Sequence, residues 1–479
     1  MQIKYNETSL DSKPLFKLYE PYNGIYSEDI PLVSPNEKKV GDYKISLRQG
    51  LKWYLEDYFH LPVSVESERA DEVQSALKEW GNQCFEALFA DSQTSEWFLL
   101  AQKQGLENLI ITIICDEPKI LAWPWEALYC DDVGFIAQYC QIERQIPNID
   151  ILRQNDVELP NDALNILYII ARPFDETDID FQTLARPLVD YMVENNIKIN
   201  IDLLRPPTFD KLCDVLNKNP HHYHMIHFDG HGGMPMQLSE QSVEKNGFLV
   251  FERRTETGVG SEAIPADKLG ELLNKNFVPY VVLNACQSAA MDEDGTEPFA
   301  TVAARLLKSG VRGVLAMSYS LWERGAKHFI SAFYKQLFKQ GNLPKAVLAG
   351  RQEMCKNNQR DTFIGTTEFN DWIVPILYRQ GDDEYELPLL TEKSANNISC
   401  LPDEAQELEN ENFIGRSAAI QQLERFIQYQ LQSGVLIHGL AGEGKTTLSK
   451  GFLQWLSTTG GHITNMFWFG FDGIVSVKP

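Results

Sequence analysis

HYHMIHFDGHGG at residues 222–233 and VPYVVLNACQSA at 278–289 are the stretches on which the reading of the fold turns. Each opens apolar and ends polar: the first leaves its apolar run at His231-Gly232, the second at Cys286. Strands are expected over 109–115, 164–171, 197–204, 222–229, 278–283 and 311–317, and helical periodicity marks 182–195, 207–217 and 297–309. Apolar strands alternating with amphipathic helices predict an α/β fold, a largely parallel sheet with helices on both faces. In such sheets chemistry gathers outside the carboxyl ends of the strands. His231, Gly232 and Cys286 all fall there.

Upstream, Val73, Leu77, Trp80, Cys84 and Leu88 recur at spacings of three and four, which predicts one helix face packed on the core. Residues 1–44 carry Pro14, Pro21, Gly24, Pro31 and Pro35 and read as an irregular arm. Downstream, 380–412 is acidic and nearly free of bases, the mark of a solvated linker. The expected organisation is an arm and helical region over 1–105, an α/β core over 106–390, a linker over 391–411 and a short α/β stretch over 412–479.

A chain of 479 residues amounts to roughly three average domains. With 43% hydrophobic and 23% charged residues it is expected to be ordered and to need no disulfide or structural metal to fold. No apolar run approaches the roughly 20 residues of a membrane span, and MQIKYNETSL lacks the apolar segment of a signal peptide. The eight scattered cysteines then read as reduced thiols of a cytoplasmic protein. A net charge of −24, from 67 acids against 43 bases, repels phosphate backbones, so neither nucleic acid nor membrane is an expected partner.

A thiol at one strand end and an imidazole at the next are what nucleophilic cysteine chemistry requires. Cys286 would supply the nucleophile and His231 the general base, later the acid for the leaving group. Gly232, without a Cβ, lets backbone approach the substrate, so its N–H and that of Cys286 would form the oxyanion hole. The histidines at 221, 222, 224, 227 and 231 do not form a metal set: strand alternation sends them to opposite faces, and no carboxylate or cysteine lies at ligand spacing. Asn-Ala-Cys-Gln-Ser is not the glycine-flanked elbow of an α/β-hydrolase, and papain-like enzymes place the cysteine before the histidine.

HFDGHG at 227–232 followed by VVLNACQS at 281–288 resembles the CHAT peptidases, relatives of caspases and separases. KWYLEDYF (52–59), LAWPWEAL (121–128), LLKSGVRGVLAMS (306–318), AFYKQL (332–337) and DWIVPILY (371–378) are similar to further landmarks of that family, over about residues 45–390. The resemblance implies a caspase-like sheet and a dyad of His231 and Cys286, with Gly232 at the oxyanion. For the substrate pocket the candidates are Asp229, Arg172, Asp175, Asp292 and Asp294. The acidic loop MDEDGTEPF (291–299) would favour Lys or Arg before the scissile bond, whereas Arg172, in the ARPFDETD loop, would favour an acid. The same acidic loop lacks the sixth-position glycine of a calcium loop, Glu297 standing there. No metal or cofactor is expected for proteolysis.

GLAGEGKT at 439–446 is a full match to G-x-x-x-x-G-K-[ST], between an expected strand at 435–437 and an expected helix from Thr446. Gly439, Gly442, Glu443, Gly444, Lys445, Thr446 and Thr447 are the candidates for binding ATP or ADP with Mg2+. NFIGRSAAIQQLE (412–424) resembles the opening of the NB-ARC or STAND class of signalling ATPases. No acidic Walker B strand, sensor or lid follows, so 1–479 reads as the amino-terminal part of a longer protein, and ATP hydrolysis is not expected of it. The two resemblances together imply a nucleotide-gated cysteine endopeptidase in bacterial antiphage defence. It would oligomerise on activation and cleave a partner protein, gasdermin-like pore formers being substrates of some relatives. The alternative is a catalytically silent CHAT scaffold whose active element is the nucleotide switch.

Overall fold

In a computed structural model the chain is described over residues 1–8, 13–58, 64–147, 159–173, 199–233, 247–256, 258–287, 298–319, 321–362, 365–381, 387, 401–402, 416–429, 434–459 and 466–469. In chain order the strands are β1 (Gln2–Thr8), β2 (Pro14–Glu20), β3 (Ile25–Tyr26), β4 (Ile30–Pro31), β5 (Ile110–Ile114), β6 (Tyr129–Cys130), β7 (Gly134–Phe135), β8 (Gln141–Gln145) and β9 (Leu164–Ile170). There follow β10 (Ile199–Leu203), β11 (Met225–Gly233), β12 (Phe248–Arg254), β13 (Val259–Pro265), β14 (Tyr280–Gln287), β15 (Gly313–Met317), β16 (Gln359–Thr362), β17 (Gly365–Glu368) and β18 (Pro375–Arg379).

The main sheet runs β10-β9-β11-β14-β15-β18-β8-β5-β1-β2-β3. β10, β9, β11, β14 and β15 are mutually parallel, and so are β18, β8, β5 and β1. β18 is antiparallel to β15, so this last strand of the chain's main sheet joins two parallel halves. The apolar runs behave as their composition dictates. β15 is buried at every residue and β5 at its three central ones, because a parallel sheet is covered on both sides.

Both faces of β11 carry helical cover. On one, Met225 and His227 meet Tyr334 of the Glu323–Gln340 helix. On the other, Phe228 packs on Phe251, which in turn meets Phe209 at the start of the Phe209–Lys218 helix. The stripe Val73, Leu77, Trp80, Cys84 and Leu88 is buried along the Ser64–Leu88 helix, as its spacing predicts. LAWPWEAL supplies core rather than chemistry. Trp123 and Trp125 stack on one another and meet Phe16 at a tilt and edge-on, with the Trp125 indole N–H donating to the Ile120 carbonyl.

Three expectations are corrected. Residues 1–44 are not an irregular arm, since β1 pairs with β5 and β2 with β1, burying Ile3, Phe16 and Leu18 completely. Pro14 opens β2 and Pro21 follows it, so these prolines border the strand instead of interrupting it. β11 does not stop near residue 229 but continues to Gly233, because β12 takes over as an antiparallel neighbour opposite His231–Gly233 after β9 has ended. Val435-Leu436-Ile437 is no strand: it has no ladder partner among the described residues, and Leu436 is exposed. The expected helix at 182–195 and most of the acidic linker lie outside the described residues.

The helices Ser417–Gln428 and Lys445–Thr458 pack against the main sheet. Ile420, Leu448, Phe452, Trp455 and Leu456 are buried in that contact and against one another. Arg205, just after β10, pairs with Glu424 and donates to the carbonyl and hydroxyl of Thr459.

Candidate active site

β11 and β14 are neighbouring parallel strands whose register sets Asp229 opposite Asn284, His231 opposite Cys286 and Gly232 opposite Gln287. Adjacent strands stand about 4.8 Å apart, and residues paired in register belong to one face of the sheet. The structure therefore brings the predicted histidine and cysteine together as direct neighbours at the carboxyl end of the sheet. His231 is nearly buried, at 7% exposure, and Gly232 lies between β14 and β12. Around Cys286 the description is of the backbone.

Beneath this pair is a polar row that the residue types alone did not identify. Asp229 is fully buried and accepts hydrogen bonds from Arg172 Nη2 and, at 3.1 Å, from Asn284 Nδ2, both on Oδ1. One level further down, His227 stacks on Tyr168 and its Nδ1 lies 2.6 Å from the Tyr334 hydroxyl. Burial pushes His227 down to about 3, so its ring is neutral and structural. A signal was present in the sequence: Asp229 precedes His231 by two, and Asn284 precedes Cys286 by two, the period of one strand face.

Arg172 and Asp229, expected at the substrate pocket, are found together instead. Their ion pair is 1% and 0% exposed, so the two side chains face one another inside the protein and not an open pocket. The physical reason is the lateral neighbour: Asp229 sits opposite Ile170 at the end of β9, which delivers Arg172 straight onto it. The other candidates, Asp175, Asp292 and Asp294, lie outside the described residues. Among the described residues no group of three or more His, Cys, Asp or Glu side chains could hold a metal ion.

The close packing around Gly230 explains the second letter of DGHG. A Cβ there would lie 2.7 Å from the Ala171 carbonyl oxygen and 2.9 Å from the Phe228 ring. Ala171 cannot yield easily, since its N–H donates to the Asp229 carbonyl at 2.9 Å. Gly230→Ala is expected to destabilise the chain by about 1–3 kcal/mol and to shift His231 against Cys286. A lowered denaturation midpoint, together with lost Cys286 reactivity in the folded fraction, checks it.

The strand carrying His231 is held on its outer side by the Ser417–Gln428 helix. Arg425 Nη2 donates to the carbonyl of Arg172 and, at 2.7 Å, to Glu252 on β12, which also accepts from the Tyr429 hydroxyl at 2.9 Å. Burial pushes the Glu252 carboxyl up, and Arg425 and Tyr429 pull it back. These contacts lie along one edge of β11, at the end of β9 and on β12, opposite the edge that β14 occupies. A small cavity beside them is lined by Tyr168, Arg205, Glu252, Glu424, Arg425 and other residues.

The 439–446 loop turns at three glycines. Gly439, Gly442 and Gly444 have φ of 154°, 87° and 81°, in a region that side chains disfavour. The Lys445 ammonium folds back on the loop, donating to the carbonyls of Gly439 at 3.0 Å and Leu440 at 2.6 Å. Glu443 accepts from the Leu440 N–H, and Arg416 donates to the Glu443 carbonyl. Thr446 and Thr447 open the helix that leaves the loop.

Fold and site together define an α/β protein with a largely parallel sheet that sets a histidine beside a cysteine at its carboxyl edge. Residues 78–395, well over half of the chain, match the CHAT domain, and the chain belongs to that family. No curated protein matches it. Among solved structures it is similar to the Arg-specific cysteine proteinase gingipain R (RgpB), at 13% identity and TM-score 0.35, over 63% of this chain and 68% of that one. A complex of the pro- and mature domains of Porphyromonas gingivalis RgpB is similar at 12% identity and TM-score 0.35, over 62% and 70%. The Saccharomyces cerevisiae separase–securin complex is similar at 11% identity and TM-score 0.45. There the match covers 79% of this chain but 30% of the other. Among the described residues no helix is long and apolar enough to cross a membrane.

Proposed function

We propose that this chain is a cysteine endopeptidase that cleaves a partner protein, with Cys286 as nucleophile and His231 as general base. The observation that carries this reading is the register of β11 and β14, which makes His231 and Cys286 direct neighbours in a chain of the CHAT domain family. The Cys286 thiolate attacks the scissile carbonyl carbon, and the N–H groups of Gly232 and Cys286 receive the oxyanion. The His231 imidazolium then gives its proton to the leaving amine. Water, losing a proton to His231, hydrolyses the thioester and restores the thiol.

A second element of the proposal is nucleotide gating through residues 439–447. The three left-handed glycines and the inward Lys445 fit a phosphate cradle, in which Lys445 would meet the β- and γ-phosphates and Thr446 a Mg2+ ion. ATP or ADP would supply charge and contacts that reset this loop. The route to the peptidase site would be the Ser417–Gln428 helix, whose Arg425 touches the carbonyl of Arg172 beyond β9 and Glu252 on β12, the segments along one edge of the His231 strand. The defence setting, the trigger-driven oligomerisation and a pore-forming, gasdermin-like substrate belong to this proposal through the resemblance described above.

The test is exposure of a proteome-derived peptide library to the chain with and without ATP and Mg2+, reading new amino termini by mass spectrometry. Cleavage by the wild type that is absent from Cys286→Ala is expected, and Lys445→Ala is expected to remove any response to ATP. A chain that binds ATP through Lys445 yet cleaves nothing in a Cys286-dependent way would support the scaffold reading instead.

A further inference from the structure

Asp229 is expensive where it stands. It lies in the middle of β11, between β9 and β14, with no exposed surface, and a buried carboxylate is stable only when its oxygens are matched by donors or cations. Oδ1 is matched twice, by Arg172 and Asn284. Oδ2 is buried and accepts no hydrogen bond among the described residues, an arrangement that calls for a physical reason. The reason is at hand two residues along the same strand face, where His231 stands.

We propose that Asp229 is a positioning residue of the dyad: its buried carboxylate, fixed to both active strands by Arg172 and Asn284, stabilises His231 as the imidazolium partner of the Cys286 thiolate. The inference rests on the dyad reading given above. Burial pushes the Asp229 carboxyl up, while Arg172, Asn284 and His231 draw it back, so the carboxylate and the ring act on each other. A carboxylate in that place favours positive charge on the neighbouring ring. Asn284 adds a geometric link, because its amide holds Asp229 from the strand that bears Cys286.

The other charged or titratable described groups on this face cannot take the role. Glu252 is held by Arg425 and Tyr429, and Arg172 has the wrong sign. His227 is neutral, and burial pushes Tyr168 and Tyr334 up, away from ionisation.

The experiment follows iodoacetamide labelling of Cys286 against pH by mass spectrometry in the full chain. Mass spectrometry reads Cys286 apart from the other thiols, of which Cys84, Cys115, Cys140 and Cys355 are pushed up to about 12 by burial. Wild-type Cys286 is expected to react with a midpoint well below the ordinary ~8.5, and His231→Ala to remove that advantage. Asp229→Asn is expected to raise the midpoint by about one unit or more, and Asp229→Glu to restore part of it. A merely structural role would lower the melting temperature and leave the profile of the folded protein where it was. Should Asp229→Asn not fold, because Arg172 is left without its counter-charge, Asp229→Asn/Arg172→Gln removes both charges and carries the same reading. A low, His231-dependent midpoint that neither folded Asp229 variant moves overturns the inference. A wild-type midpoint like that of a free thiol overturns the dyad reading itself, and this inference with it.

Discussion

His231→Ala is expected to lower kcat/KM for protein cleavage by on the order of 10^3- to 10^4-fold, and adding it to Cys286→Ala is expected to lower the rate no further. A nucleophile and its base act as one unit: without the imidazole the thiol must ionise alone, and without the thiol the imidazole has nothing to activate. The loss in the double variant should therefore equal the larger single loss, not the product of the two. A second signature accompanies it. Residual cleavage by His231→Ala should climb with pH through the ordinary thiol range, because the fraction of thiolate is then set by the free cysteine. Initial rates on one cleaved peptide, measured for the four proteins across pH, check both statements. Single losses that multiply in the double variant would mean that the two side chains work independently.

Glu126→Ala carries the largest expected effect on stability, a loss of about 3–5 kcal/mol. Glu126 and Arg144 form a buried pair, 1% and 0% exposed, with the guanidinium also donating to the carbonyls of Leu121 and Trp123. Arg351, from the Leu343–Lys356 helix, stands 3.6 Å from the same carboxylate and donates to the Pro375 carbonyl at the head of β18. One carboxylate thus balances two buried cations, and its removal leaves both without a counter-charge in a place water cannot reach. Chemical denaturation, with the slope unchanged and the midpoint lowered, is the measurement. Arg324→Ala is the contrast: its partner Asp361 is exposed, and no measurable change is expected.

Much of the sheet could be read from residues. Unbroken apolar runs became β5, β9 and β15, and the register of β11 and β14 placed the predicted histidine against the predicted cysteine. What could not be read has a common cause, since it depends on lateral neighbours that a linear pattern does not record. β1 and β2 hold no long apolar run and prolines border β2, and both become strands because β5 presents an open edge. Arg172 and Asp229 are far apart in sequence, and only the pairing of β9 with β11 shows that they neutralise each other. The 435–437 run illustrates the converse, strand-like residues that find no ladder partner among the described residues. Tyr429, Arg425 and Glu252 were passed over because each, taken singly, is an ordinary surface type.

The place of β18 has a consequence for synthesis on the ribosome. Chain order and spatial order conflict there: residues 375–379 fill the seam between β15 and β8, so the halves built from earlier residues have no shared hydrogen bonds across that seam until this segment has left the exit tunnel. Until then β15 and β8 are each a bare edge, the kind of surface on which nascent chains pair wrongly. A nascent chain released before residue 375 would hold the histidine and cysteine strands in one half-sheet and the Trp123–Trp125 core in another, with nothing to seal them. Completion of the sheet is thereby tied to the arrival of residues 375–379, and the strands that bear His231 and Cys286 cannot gain their whole sheet on a half-made chain.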